Sequence, residues 1–305
     1  MDASTIDVAV WNIEADGGRD GERRDFALDI LSQLGDGGPD VLLQQEAKHS
    51  REHGGQLLHA TEKHLGLRGF LAAPNPGVDA DIATAVYLRP GMFHVAEQKP
   101  RAKPWWLHPC HVQTHLGVHP VPINFVSFHM CFFDADQRLT EAGWLTTLAR
   151  PGMVTIAAGD TNSYPRRSEP VTLPTWENVT DRAHMVQRTY LDLHGRRHSD
   201  TRPDGTLIDA GYVDLARHAA DHLDGIEAQD ALAPTAGFTK RLQGGAQRID
   251  RGYGAGRAAS ALEHVEVIDN ENTRAVTDHA LLFYRFHRAR LEAVATQAAY
   301  ALCAT

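Results

Sequence analysis

The chain has 305 residues, 42% hydrophobic and 23% charged, enough apolar material for one large core or two small ones. Its longest apolar runs fall far short of a membrane span, and the start, Met1-Asp2-Ala3-Ser4, has neither the basic nor the apolar region of a secretory signal, so a cytoplasmic location is expected. A formal net charge of −9 excludes a global basic field that would recruit nucleic acid, and Cys110, Cys131 and Cys303 lack metal-ligand spacing and suit a reducing compartment.

In chain order, Ile6 to Trp11 alternate as a first strand that ends in Asn12-Ile13-Glu14. A Gly/Asp/Arg-rich loop over 15–25 leads to Phe26, Leu28, Ile30, Leu31 and Leu34 at helical spacing, stopped by Gly35. Val41 to Glu46 is a second buried strand with a carboxylate at its tip. Leu57 to Leu65 predicts another helix, and strands follow near 68–73, 82–88 and 92–97. Residues 99–109 form a proline-punctuated loop of basic and aromatic residues, whose composition suits either phosphate and base contacts or an edge loop with a packed tryptophan. Residues 110–117 and 121–129 pair antiparallel around His119-Pro120, and the second strand ends Ser127-Phe128-His129. A helix over about 135–149 precedes the strand 153–158.

That strand runs into Gly159-Asp160-Thr161-Asn162. Gly159 is expected to allow a tight turn, and Asp160 and Asn162 face the same way if the pleat continues. A carboxylate beside an amide suits a divalent metal, a water or a phosphate oxygen, and equally an Asx-type turn that caps the strand. Residues 163–205 are irregular and polar, within an insertion spanning about 163–245. A short helix is expected near 212–220, strands at 247–251, 262–268 and 280–286, and a terminal helix over 288–302. Without an internal repeat or low-complexity linker, residues 1–305 read as a single domain of packed sheets with outer helices.

Chemistry-bearing residues collect at strand ends: Asn12 and Glu14, Glu46, His129, Asp160 and Asn162, Asp250, and Asp278-His279. Each alone has a plain structural reading as a turn residue, a solvated acid or a packing histidine, and Asp250 between Arg248 and Arg251 could be a surface ion pair. Their repeated convergence on tips is the pattern of a ligand site. Hard oxygen donors suit magnesium or manganese, and imidazole beside carboxylate suits proton transfer or stabilisation of phosphate charge.

The ordered set Trp11-Asn12-Ile13-Glu14, Gln44-Gln45-Glu46, Ser127-Phe128-His129-Met130, Gly159-Asp160-Thr161-Asn162, Arg248-Ile249-Asp250 and Thr277-Asp278-His279 resembles the endonuclease/exonuclease/phosphatase superfamily. That group includes deoxyribonuclease I, abasic-site endonucleases, neutral sphingomyelinases and inositol-polyphosphate phosphatases. The resemblance covers about residues 6–287. It implies a deoxyribonuclease I-like α/β (α+β) fold, a four-layer α/β/β/α sandwich of two mainly antiparallel sheets, and hydrolysis of phosphate esters with Mg2+ or Mn2+.

Carried over by position, Glu46 is implied as principal metal ligand, with Asn12, Glu14 and Asp278 beside it. Asp160 and Asn162 are implied to position water and scissile phosphate. His279, held by Asp250, is implied to contact the phosphate, and His129 matches a second catalytic histidine of some members. Lys48 falls at a basic phosphate contact of some nucleases. The chain departs from the pattern at Met130 and at Arg251-Gly252-Tyr253, and its insertion carries no sub-family signature.

The reading this supports is a magnesium-dependent phosphodiesterase of nuclease type. A phosphatase or phosphodiesterase for a metabolite, nucleotide or lipid headgroup is the alternative, and an inactive phosphate-ester binding protein is a third. The expected partner is a phosphate-ester substrate, nucleic acid included, with no protein partner indicated. Within the insertion, His184 to Arg202 holds Arg188, Arg196, Arg197 and Arg202 with His184, His194 and His198. It is expected to be a surface loop, either solvated with its arginines paired to Asp192, Asp200 and Asp204, or a flap in which Arg196 and Arg197 grip a substrate phosphate.

Overall fold

A computed structural model of the chain describes residues 4–18, 21–74, 82–100, 103–117, 121–170 and 173–303. Along it run β1 (Thr5–Asn12), α1 (Glu22–Ser32), β2 (Val41–Gln45), α2 (Gln56–Leu65), β3 (Arg68–Leu71), β4 (Ala85–Leu88), β5 (Phe93–Lys99) and β6 (Cys110–Leu116). Next come β7 (Ile123–His129), α3 (Ala135–Leu145), β8 (Val154–Asp160), α4 (Arg182–Gln187), β9 (Thr189–Leu191), β10 (Arg197–Ser199), α5 (Arg202–Asp209), β11 (Val213–Asp214), α6 (Leu215–His222) and α7 (Ala228–Ala231). The chain finishes with β12 (Asp250–Ala255), β13 (Leu262–Ile268), α8 (Glu271–Val276), β14 (Leu281–His287) and α9 (Arg288–Cys303).

Among the described residues the strands form two six-stranded sheets, ordered β13-β14-β1-β2-β4-β3 and β11-β12-β8-β7-β6-β5, plus the hairpin β10-β9. Pairing is antiparallel except for β1 with β2 and β7 with β8. Those two parallel pairs matter most, because each sends two strand C-termini to one edge.

Period-two alternation explains the layers. Val8 and Val10 of β1 face Val112, Phe125 and Ile156 of the other sheet in a shared core. Ala9 and Trp11, one residue out of phase, pack outward on Ala27, Leu28 and Leu31 of α1. In the second sheet Val126, Phe128, Ala157 and Tyr253 turn outward onto Ala142 and Leu145 of α3 and Leu207 of α5. Helix, sheet, sheet and helix stack as the sequence implies. Strands covered on both faces read as continuous apolar runs, which is why β2 and β8 were legible.

Three expectations need correction. Gly159 sits inside β8 rather than at a turn. Its bare Cα matters because a Cβ there would lie 1.8 Å from the Phe128 carbonyl oxygen of the paired strand. The pleat does not continue through Asn162, whose φ is +49°. The segment from His184 to Arg202 is not an irregular surface loop: it carries the end of α4 and the hairpin β9-β10, Arg138 of α3 pairs with its fully buried Asp200 at 3.0 Å, and Tyr164, Trp176, Val179 and Ala236 of the surrounding insertion pack with Ile249 in a small core. Sparse, non-periodic apolar residues hid that core. His119-Pro120 lies outside the described residues, and Cys110 and Cys131 are buried free thiols.

Candidate active site

Register brings the strand tips together. Asn12 at the end of β1 is level with Gln45 at the end of β2, and His129 at the end of β7 is level with Asp160 at the end of β8. Asp250 opens β12 directly opposite Asp160. Asp278 and His279 precede β14, which runs antiparallel to β1. Gln45 ties the sheets here, its Nε2 donating to the Ser127 hydroxyl at 2.9 Å.

The tips line a cavity of ≈ 280 Å³ with Glu46, His129, Asp160, Asn162, Asp278 and His279 among its walls. His279 Nδ1 lies 2.9 and 3.1 Å from the two oxygens of Asp250, which is itself only 3% exposed. The Asp250 backbone N–H donates to Thr235 Oγ1 at 2.9 Å, and Trp11 Nε1 donates to the His279 carbonyl at 3.1 Å, so both members are fixed from behind. Burial by itself lowers the His279 pKa. The Asp250 carboxylate, with Asp160 and Asp278 behind it, reverses this and raises it to about 10. Burial pushes Asp250 up, against the pull of His279. The direction favours the protonated ring on His279.

His129 Nε2 lies 3.5 Å from Asp160 Oδ2, and its Nδ1 is buried without a partner. Asp160 Oδ1 accepts the Asn162 backbone N–H at 2.8 Å, while Asn162 Nδ2 donates to the Met130 carbonyl at 2.9 Å. The tip is thus both an Asx-type turn and a wall of the cavity; the two readings of Asp160 and Asn162 coexist.

Glu46 has φ +58°, unusual for a non-glycine residue and a sign that the surroundings hold it. Its Oε1 accepts from Asn12 Nδ2 at 3.3 Å and its Oε2 from the Ala15 N–H at 3.0 Å. Below this turn lies a buried cluster that the sequence did not announce: Arg24 pairs with Asp16 at 3.0 Å, and Asp16 also accepts from Gln44 at 2.9 Å and Ser50 at 2.7 Å. Asn12 Oδ1 is buried with no hydrogen-bond partner.

Hard oxygen donors line the cavity around Glu46. An orphaned amide oxygen, the Glu46 carboxylate and the part-exposed Asp278 carboxylate are hard donors that fit magnesium or manganese. Glu14 stands apart: it is exposed, pairs with Arg23 at 3.0 Å and does not line the cavity. Asp160, Asp250 and His279 also bring one ligand atom each within 4.8 Å of one another. Because His279 Nδ1 already engages Asp250, that trio is better described as a charge pair with a neighbouring acid.

Lys48 is part-buried and is not among the lining residues. Arg196 is 70% exposed and paired with Asp192 at 2.8 Å, and the exposed Arg197 donates to Thr189 Oγ1; neither lines the cavity. Arg188 and His184 line it instead, joined by Lys240, Gln243 and Gln247. The basic loop divides likewise. Trp105 packs on Phe128 and Trp144, Trp106 and Leu107 form cavity wall, and Lys103 is exposed, while Arg101 lies outside the described residues. The buried Glu141 fixes this wall, accepting the Trp106 and Cys131 backbone N–H groups at 2.8 Å each. The i, i+4 spacing of His184 and Arg188 was the one available sequence signal for the insertion's share.

No protein-family model matches the sequence, and no curated protein does. Solved structures do. The chain is similar to a 3′ phosphatase, NExo, from Neisseria bound to product DNA hairpin, at 15% identity and TM-score 0.59, over 92% of this chain and 99% of that one. A humanized D. rerio TDP2 matches at 15% identity and TM-score 0.60, over 93% and 99%. An AP endonuclease from Archaeoglobus fulgidus matches at 15% and 0.59, over 92% and 99%. The chain has the endonuclease/exonuclease/phosphatase fold over nearly its whole length.

Proposed function

We propose that this chain, with its endonuclease/exonuclease/phosphatase fold, is a metal-dependent hydrolase of phosphate esters, acting on phosphodiesters in the manner of the nucleases it resembles. The observation that carries the reading is the Asp250–His279 pair set in one cavity with Glu46, Asp160 and Asn162. Glu46, Asn12 and Asp278 would hold magnesium or manganese, which when bound offsets charge on the phosphate oxygens.

The chain's own residues carry the remaining work. Asp160 accepts a hydrogen bond from a water and orients it toward phosphorus, and the Asn162 turn fixes the carboxylate that does so. The imidazolium of His279, kept charged by Asp250, stabilises negative charge growing on the phosphoryl oxygens. His129, against Asp160 on the other side, is placed to protonate or hydrogen-bond an ester oxygen. Trp106 and Phe132 add apolar surface to the cavity wall. A cavity of ≈ 280 Å³, in a chain of net charge −9, favours as second reading a small phosphorylated molecule or a nucleic-acid end over a long duplex.

Hydrolysis of a phosphodiester and phosphomonoester panel in magnesium or manganese tests the proposal. Activity should vanish with EDTA, return on adding either metal, and fall by roughly 10²–10⁴-fold in Asp160→Asn. Full turnover by protein shown metal-free, or no hydrolysis of any ester with metal present, would overturn it.

A further inference from the structure

Arg188 presents two guanidinium nitrogens that no hydrogen bond within the protein answers. Its Nε and Nη1 are buried with no hydrogen-bond partner. The backbone around it is fixed: the Arg188 N–H donates to the His184 carbonyl at 3.0 Å, and its own carbonyl accepts the Asp200 N–H at 3.0 Å.

The insertion's acids are committed elsewhere. Asp200 gives one oxygen to Arg138 at 3.0 Å and the other to Arg202 at 2.8 Å. Asp192 takes Arg196 and His198, and Asp204 accepts the Tyr253 hydroxyl and the Arg166 N–H, both at 2.7 Å. The segment thus answers Arg138, Arg196 and Arg202 with carboxylates and leaves Arg188 facing the cavity, toward the charges of Asp160 and Asp250. Guanidinium nitrogens left without a hydrogen bond are costly in general, a cost that a bound anion would lower.

His184 stands one helical turn before it. The ring is 7% exposed, tilts on Trp176 with centroids 6.3 Å apart, and has a buried Nε2 without a partner. Burial, followed by the nearby Arg188 charge, lowers its pKa to about 4, so it offers a neutral N–H rather than a second cation. Both residues line the cavity that also holds Asp160 and His279. An arginine grips two oxygens of one phosphate through Nε and the Nη2 beside it, which a lysine cannot do, and the unpartnered Nε of Arg188 supplies one half of that fork.

We infer that Arg188, backed by His184, is a phosphate-gripping subsite that the insertion adds to the strand-tip site, selecting phosphates with unesterified oxygens free on the insertion side. The inference rests on the phosphate-ester reading above and sharpens it: terminal phosphates are held better than internal diesters, because a second ester group would occupy the fork's place.

Calorimetric titration with inorganic phosphate in magnesium buffer tests this without turnover, with dimethyl phosphate as the diester arm. Wild type should bind phosphate more tightly than dimethyl phosphate. Arg188→Gln should weaken phosphate by about tenfold or more, the scale of a lost charge-assisted contact, and leave dimethyl phosphate nearly unchanged. The variant should still melt cooperatively as a folded protein; a merely structural arginine would lower the melting temperature without a selective loss of phosphate. If that variant does not fold, Arg188→Lys decides: weaker phosphate binding at wild-type melting supports the subsite, and wild-type affinity overturns it. Equal phosphate affinity in wild type and Arg188→Gln overturns it, as does loss in an Arg196→Gln/Arg197→Gln double variant alone. Phosphate binding that depends on Arg188 in a protein that hydrolyses nothing would leave the subsite standing and remove the hydrolase reading. Turnover with unchanged KM for terminal phosphates in Arg188→Gln would do the reverse.

Discussion

Asp250 and His279 show how much one contact alters a residue's meaning. In the sequence Asp250 lies between two arginines and looks like half of a surface pair. In the fold Arg248 turns to Asp214 at 2.7 Å, Arg251 to Ser163 and Tyr253, and Asp250 is left to the histidine. If the pair acts as proposed, Asp250→Asn keeps the shape but withdraws the charge that favours the imidazolium. Turnover on the best phosphate ester should drop by about 10²–10⁴-fold, with a smaller change in KM, in a variant that still melts cooperatively. Steady-state kinetics beside thermal denaturation would check this, and wild-type kcat would show that the contact is structural only.

At the scale of elements, the insertion is held to the sandwich by charge as well as by apolar packing. Arg138 leaves α3, is fully buried, and meets Asp200 just after β10, while Arg202 at the start of α5 takes the other oxygen of the same carboxylate. Arg138 also donates to the carbonyls of Cys131 at 2.9 Å and Gln187, so one guanidinium spans the chain after His129 and the end of α4. Asp200→Ala would strand two guanidinium groups, one of them wholly buried. A stability loss of about 3–5 kcal/mol is expected, read as the shift of the urea midpoint. A shift under about 1 kcal/mol would mean that the insertion stands on its apolar cluster of Tyr164, Trp176 and Ile249 alone.

Over the whole molecule, the net charge of −9 and the acids gathered at one edge set the response to pH. Asp214 is the clearest case. Burial raises its pKa, but the Arg248 charge and hydrogen bonds outweigh that and hold it below the ordinary carboxylate value. A carboxylate whose pKa is lower folded than unfolded stabilises the fold fully above its unfolded value, about 3.9, and loses that contribution as pH falls through the folded value. Melting temperatures of wild type and Asp214→Asn should therefore differ by a constant amount from about pH 7 to 5 and converge as pH falls below about 4. A gap that stays constant to pH 2 would assign the effect to the α6 cap, where Asp214 Oδ1 accepts the Ala216 and Arg217 N–H groups. Among the described residues no helix is long and apolar enough to cross a membrane.

The sequence by itself determined the main strands and the residues at their tips, and through those motifs the resemblance implied the layers. Strands buried on both faces are mostly apolar, so β1, β2, β7 and β8 declared themselves, and the polar residues that end such runs stand at a sheet edge. That made Asn12, Glu46, His129, Asp160 and His279 legible as one constellation. Only tertiary structure decided which charges are spent. Glu14 and Glu46 look equivalent as letters, yet one pairs with Arg23 in solvent and the other is pinned by Asn12 and Ala15. Arg196 and Arg188 belong to one arginine-rich segment, yet Asp192 neutralises the first while Asp200, claimed by Arg138 and Arg202, is unavailable to the second. Pairing over tens of residues follows from which side chains the folded backbone brings within about 3 Å, and periodicity holds no record of that distance.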